Sequence, residues 1–143
     1  MEFVSKIDRS KRRKQTGEDF SPRELVDYML DKLPPDEWTE RRYILDPCAG
    51  NGNIIIPILE RKLAGGLSYI DALETTYALE LMADNVEEMK ERIRMLIVEK
   101  VPDANMTKVN EILEHNIACG DAFKWDYDKW ESTNYKQLEL FTD

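Results

Sequence analysis

Apolar side chains recur at three- and four-residue spacing over Leu25, Val26, Met29, Leu30 and Leu33, which predicts a helix with one apolar face. Ahead of them, Ser21-Pro22-Arg23-Glu24 offers a hydroxyl N-cap, a proline at the first helical position and a glutamate at N3, so the helix is expected to open at Ser21. Pro34-Pro35 ends it. Arg42-Tyr-Ile-Leu-Asp46 is a short buried strand by its pattern, broken at Pro47. The small-residue turn Cys48-Ala-Gly-Asn-Gly-Asn53 follows, then a helix toward Leu63 whose first turn Pro57 distorts or delays. Gly65-Gly66 closes that helix. Thr75–Leu81, β-branched and aromatic at its start, is a second strand.

Asp84 is the expected cap of the next helix, whose stripe is Val86, Met89, Ile93 and Leu96 or Ile97. Glu88 and Arg92 read as an i,i+4 pair on its outer face, and Pro102 marks its end. A shorter helix covers Lys108–Glu114, and Asn116–Cys119 is a third strand ending at Gly120-Asp121. Strands alternating with helices of this length imply an α/β fold: parallel strands, about three of them, with flanking helices and right-handed crossovers.

Composition narrows the class. The 143 residues are 42% hydrophobic and 34% charged, enough for one globular core without metal or disulfide support. No apolar run reaches the roughly 18 residues of a membrane span, and the N-terminus has no apolar core of a secretory signal. Cys48 and Cys119 sit outside any CxxC or Cys/His cluster, so a reduced, cytoplasmic protein without a structural metal is expected.

Charge is uneven. Residues 1–14 carry six basic groups and two acids, which leaves the remaining 129 residues at a net −13. So acidic a body repels a phosphate backbone unless its basic groups cluster. The organisation expected is a basic arm (1–14), a ligand-binding domain (15–130) and a tail (131–143).

Three strand ends carry the candidate chemistry. A glycine-rich turn between a strand and a helix lets the backbone approach a ligand and turns free amides toward it. Gly50-Asn-Gly52 does this, although a lone GxG is also an ordinary tight turn. Glu80 ends the second strand, where a carboxylate can accept both hydroxyls of a ribose. It lies 28 residues beyond Gly52, longer than the usual spacing of about 20, and the Leu67–Glu74 segment reads as an insert that explains this. Asp121 can accept from an exocyclic amine, and Phe123 can lie against an adenine ring. Each has a plainer reading: turn glycine, surface glutamate, helix-capping aspartate. Their order along three successive strand ends favours a ligand.

These residues also carry a family resemblance. Asp46-Pro-Cys-Ala-Gly-Asn-Gly-Asn53 resembles the first motif, D-P-x-x-G-x-G, of amino-methylating DNA methyltransferases. Lys14-Gln-Thr-Gly-Glu-Asp-Phe-Ser-Pro22 is similar to their tenth motif, G-x-x-[FY]-[ST]-P, which comes first in the gamma motif order of adenine-N6 enzymes. Ala78-Leu-Glu80 resembles the second motif and Gly120-Asp-Ala-Phe123 the third. The resemblance implies a partial Rossmann-like fold of S-adenosylmethionine-dependent methyltransferases, with S-adenosylmethionine as cofactor. Carried over residue by residue, it implies a cofactor site of Thr16, Gly17, Phe20, Pro22, Asp46, Pro47, Cys48, Ala49, Gly50, Asn51, Gly52, Asn53, Glu80, Leu81, Asp121, Ala122 and Phe123.

One motif is missing. The family's fourth motif, [NDS]-P-P-[YFW], holds the flipped adenine. The only Pro-Pro here is Pro34-Pro35, preceded by Leu33 and placed before the first motif, and Asn134-Tyr135 is a faint echo. No catalytic residue is therefore assigned. The expected partners are DNA and a second chain, which supplies the catalytic half or associates through the sheet edge; a membrane is not expected. The chain then reads as part of a split methyltransferase, as a non-catalytic binding module, or as a remnant, and the intact motif residues argue against the last. Trp125, Tyr127 and Trp130 are expected to cover the sheet edge or the cofactor's adenine rather than stack on bases, as is the alternating tail Tyr135–Phe141 for the edge. His115 is read as structural, the acids of Glu87–Glu91 as a solvated face, and Cys48 as a small residue fitting the turn.

Overall fold

A computed structural model describes residues 22–133, and the chain divides between Pro34 and Pro35 into two compact units. In the first, α1 spans Pro22–Leu30 with Val26 and Leu30 buried, while Leu25, Met29 and Leu33 are exposed. Its buried stripe is narrower than the five-residue pattern suggests. Ser21 and its expected cap lie outside the described residues.

The second unit holds the sheet. Its elements are α2 (Asp36–Thr39), β1 (Ile44–Asp46), α3 (Ile55–Ala64), α4 (Tyr69–Glu74), β2 (Thr76–Glu80), α5 (Ala83–Lys100), α6 (Met106–Asn116), β3 (Ile117–Cys119), a 3-10 turn (Ala122–Lys124), and β4 (Trp125–Asp126) with β5 (Glu131–Ser132). The three main strands pair in parallel in the order β1-β2-β3, with Asp46 opposite Ala78 and Glu80 opposite Cys119. The mixed α/β reading with a three-strand parallel sheet and flanking helices therefore holds.

Local chemistry corrects several expectations. The first strand begins at Ile44, because Arg41 and Arg42 turn outward to ion pairs with Asp71 and Glu74, and with Asp36 and Glu40. Most of the Leu67–Glu74 segment, read as an insert, is the helix α4 (Tyr69–Glu74), which Ser68 Oγ caps by accepting the Asp71 N–H at 3.0 Å. Asp84 does not cap α5. Met82 is the N-cap residue, and the Asp84 carboxylate accepts the neighbouring Asn85 N–H. Pro57 sits at the third position of α3, and the Ile56 and Ile58 amides on either side of it donate to Gly52 O and Ile54 O at 2.9 and 3.1 Å, so the helix runs on through the one donor that the proline lacks. The last helix is longer than expected and starts after Asn105, whose side chain accepts from Lys108 N–H.

Alternation along the strands splits the sheet into two unlike faces. Ile44, Thr76, Ala78 and Ile117 point one way, and Ala78 and Ile117 join a buried cluster with Ile55, Leu59, Met89, Ile93, Val109 and Leu113 from the helices. Right-handed crossovers in the order 1-2-3 put both connections on one face, which is where these helices lie. Leu45, Tyr77, Leu79 and Ala118 point the other way. Part of that face is covered by the β4–β5 hairpin. Trp130 meets the Tyr77 ring at 4.9 Å between centroids and donates its indole N–H to His115 O at 2.7 Å. Trp125 lies so close to Gly120 that a Cβ there would stand 2.6 Å from its ring. The Trp125–Trp130 stretch thus covers a sheet face rather than the β1 edge, with Trp130 against Tyr77 and Trp125 over Gly120. Leu45 remains 41% exposed beside it. The tail Tyr135–Phe141 lies outside the described residues.

Candidate functional site

The register brings the C-terminal ends of the three strands side by side. Asp46 ends β1, Glu80 ends β2, and Asp121 follows β3 by two residues, with Gly120 N–H donating to Glu80 O at 2.9 Å. Of the residues expected in the site, those from Asp46 to Asn53, Glu80–Leu81 and Asp121–Phe123 lie at this edge. Thr16, Gly17 and Phe20 lie outside the described residues, and Pro22 opens α1 in the other unit.

The turn after β1 is held from beneath. Ala49 N–H donates to Leu79 O at 3.0 Å, and Gly52 N–H donates to Ala49 O at 3.0 Å. Gly50 and Gly52 take φ of 56° and 97°, left-handed values that a side chain resists. At Gly52 space is also lacking, because a Cβ would stand 2.9 Å from Met89 Cγ.

Glu80 joins strand to turn. One carboxylate oxygen accepts the Gly50 N–H at 3.0 Å, and the other accepts Met82 N–H at 3.1 Å and Asn85 Nδ2 at 3.0 Å. The Asn85 bond, followed by those from the Met82, Gly50 and Leu81 amides, holds this carboxyl below its ordinary value against the opposing effect of burial. Asp46 shows the reverse. Its Oδ1 accepts Cys48 N–H at 3.1 Å, while its Oδ2 is buried and has no hydrogen-bond partner among the described residues. Burial pushes the Asp46 carboxyl up, the Cys48 amide opposes this, and the Glu80 charge adds to the rise. An acceptor buried without a donor is costly in a folded chain.

Asp121 caps the 3-10 turn, its Oδ1 accepting Phe123 N–H at 2.9 Å. Phe123 is 97% exposed, its ring open to solvent two residues after Asp121. Leu81 is exposed too, and the Cys119 thiol donates to its carbonyl at 3.4 Å.

Helix α5 supplies residues that sequence reasoning missed. Asn85, Met89 and Arg92 recur at i, i+4 and i+7, one stripe of the helix. Asn85 holds Glu80, Met89 backs Gly52, and Arg92 donates to Asn51 O and to Asn53 Oδ1, both at 2.9 Å. Arg92 therefore serves the turn rather than the expected pair with Glu88. The stripe's spacing was visible in the sequence, but a Glu88–Arg92 pair explained the same arginine without tertiary structure.

The resulting edge is acidic, with glycine-lined backbone and an exposed ring. The two carboxylates beside the turn, at the ends of β1 and β2, disfavour a phosphate and favour a ligand bearing positive charge. No protein-family model matches the chain, and no curated protein or solved structure matches it.

Proposed function

We propose that this edge binds S-adenosylmethionine, and that the chain is the cofactor-binding half of a methyltransferase related to the DNA adenine-N6 enzymes. The observation that carries the reading is the pairing at the turn: Glu80 bonded to the Gly50 amide, beside the buried and donor-less Asp46 Oδ2. A ligand ammonium would give Asp46 its missing donor. Gly50, Met82, Leu81 and Asn85 already engage the roughly four acceptor sites of the Glu80 carboxylate, so ribose hydroxyls would share or displace these donors, the amides of Met82 and Leu81 first. Asp121 and the exposed Phe123 would receive the adenine, Asp121 through the acceptor capacity left beside its own cap. When bound, S-adenosylmethionine supplies an activated methyl group for a nucleophilic nitrogen. The acidity of the edge also argues for this sulfonium cofactor over a dinucleotide, whose pyrophosphate Asp46 and Glu80 would repel.

Methyl transfer to adenine calls in addition for the [NDS]-P-P-[YFW] residues, which residues 1–143 do not include. In this reading those residues come from outside this stretch, in a longer chain or a partner, and the stretch alone binds cofactor without turning over. The same absence supports a second reading, a non-catalytic module that senses or sequesters the cofactor. Titration calorimetry with S-adenosylmethionine and S-adenosylhomocysteine tests the binding, and a methyl-transfer assay on adenine-containing DNA separates the two readings. No heat at millimolar cofactor overturns the proposal.

A further inference from the structure

The glycine turn is short of internal support. Within Gly50–Asn53 the Gly50 amide goes to the Glu80 side chain and the Gly52 amide to Ala49 O, and both glycines occupy left-handed backbone that an unbraced chain samples only part of the time. Arg92 reaches it from the half-buried face of α5. One guanidinium nitrogen, Nη1, donates to both Asn51 O and Asn53 Oδ1 at 2.9 Å, and so bridges the residues on either side of Gly52. Met89, one helical turn earlier, fills the space under Gly52. The turn is thus pressed between a methionine floor and an arginine clamp on the same helix. A hydrogen bond from a charged donor is stronger than a neutral one, and here two converge on a segment that otherwise has few.

We infer that Arg92 is a positioning residue: it latches Asn51–Asn53 in the shape that turns the Gly50 and Gly52 backbone toward the strand-end site. Arg92 would not touch the ligand. It sets how much of the free protein already has the binding form, and the apparent affinity falls in proportion when that fraction falls. The ligand part of this inference rests on the cofactor reading above; the latch itself does not.

The two parts are tested separately. Amide hydrogen exchange at Gly50 and Gly52 is followed in the unliganded chain for wild type, Arg92→Ala, Arg92→Lys and Glu88→Gln. Arg92→Ala is expected to speed exchange at both amides about tenfold with little change at core amides such as Leu79. Arg92→Lys, which restores a charged donor, should recover part of the protection, and Glu88→Gln should leave it intact. Unchanged exchange at Gly50 and Gly52 in Arg92→Ala overturns the latch. If Arg92→Ala does not fold, Asn53→Ala, a change at an exposed side chain, removes one of the two acceptors and must still speed exchange; no change there overturns the latch equally. Calorimetry then compares S-adenosylhomocysteine with adenosine. The first, which extends over the turn, should bind about tenfold more weakly to Arg92→Ala, and adenosine about as well as to wild type. Equal losses for the two ligands overturn the positioning role. If wild type binds neither ligand, the cofactor reading fails while the exchange result still decides the latch.

Discussion

The Glu80 carboxylate and the Gly50 amide lie 3.0 Å apart, so the residue that ends β2 also fixes the turn that follows β1. The carboxylate proposed to meet the ligand is part of the scaffold as well. Glu80→Ala is expected to weaken S-adenosylhomocysteine by roughly ten- to a hundredfold, the usual effect of losing a charged acceptor. It should also lower stability by about 1–3 kcal/mol, since the Gly50, Met82 and Asn85 donors all lose their partner. Denaturant unfolding beside calorimetry would catch both effects, and a loss of affinity with unchanged stability would contradict the bridging role.

Gly52 and Gly50 should respond differently to a methyl group. Gly52→Ala meets both a left-handed φ and Met89 Cγ at 2.9 Å, whereas Gly50→Ala meets only the backbone preference, with open space around it. Gly52→Ala is expected to destabilise by about 2–4 kcal/mol and Gly50→Ala by about 1 kcal/mol. Chemical denaturation of the two variants would give the order, and equal costs would mean that the Met89 contact is easily relieved.

Phe123→Ala separates ligand contact from folding. With the ring 97% exposed, the unliganded protein should keep its unfolding free energy within the spread expected of a surface change, about 0.5 kcal/mol. The cofactor should nevertheless bind several-fold more weakly if the ring covers its adenine. Unaltered affinity would remove Phe123 from the site.

Lys62 gives a pH signature. It is fully buried, and its ammonium donates to Arg42 O, Thr75 O, Thr75 Oγ1 and Thr76 Oγ1 at 2.8–3.0 Å. Burial pulls its pKa from 10.5 down to about 8, with the Glu37 charge opposing and the Arg41 charge assisting. Between those values the unfolded chain holds more protons than the folded one, so stability should rise as pH increases from about 8 to about 10.5 and be level and lower below 8. The whole rise amounts to about 3 kcal/mol at most. Denaturation midpoints at pH 7, 8, 9 and 10 would trace it, and Lys62→Met should lose the rise while being less stable throughout. A wild-type curve that is flat over this range would exclude a depressed Lys62.

Much of the sheet could be read from local pattern, because strand, glycine turn and helix each leave signals within a few residues. The ends of β2 and β3 fell where Glu80 and Gly120-Asp121 put them. What was not legible depends on distance in sequence. The destination of Arg92, about 40 residues from its partners in the turn, competes with a plausible neighbour on its own helix. The helix within the inserted segment, Tyr69–Glu74, carries a local signal in Ser68 and Asp71, a hydroxyl cap with an acid three residues on. The tryptophans show a different limit: apolar spacing says that Trp125 and Trp130 need cover, but only the strand order says which surface is bare.

Because the strand order is sequential, each strand finds its partner already made. A nascent chain can therefore add β2 to β1 and β3 to β2 as each leaves the ribosome, with no strand waiting for a neighbour still to be synthesised. The side that both crossovers leave bare exposes Tyr77 and Leu79 as soon as β2 has paired. At a translation rate of about 5–20 residues per second, Trp125 and Trp130 emerge within about two seconds of Cys119. The next piece of polypeptide to appear is the one that shields this surface from neighbouring chains on the same message.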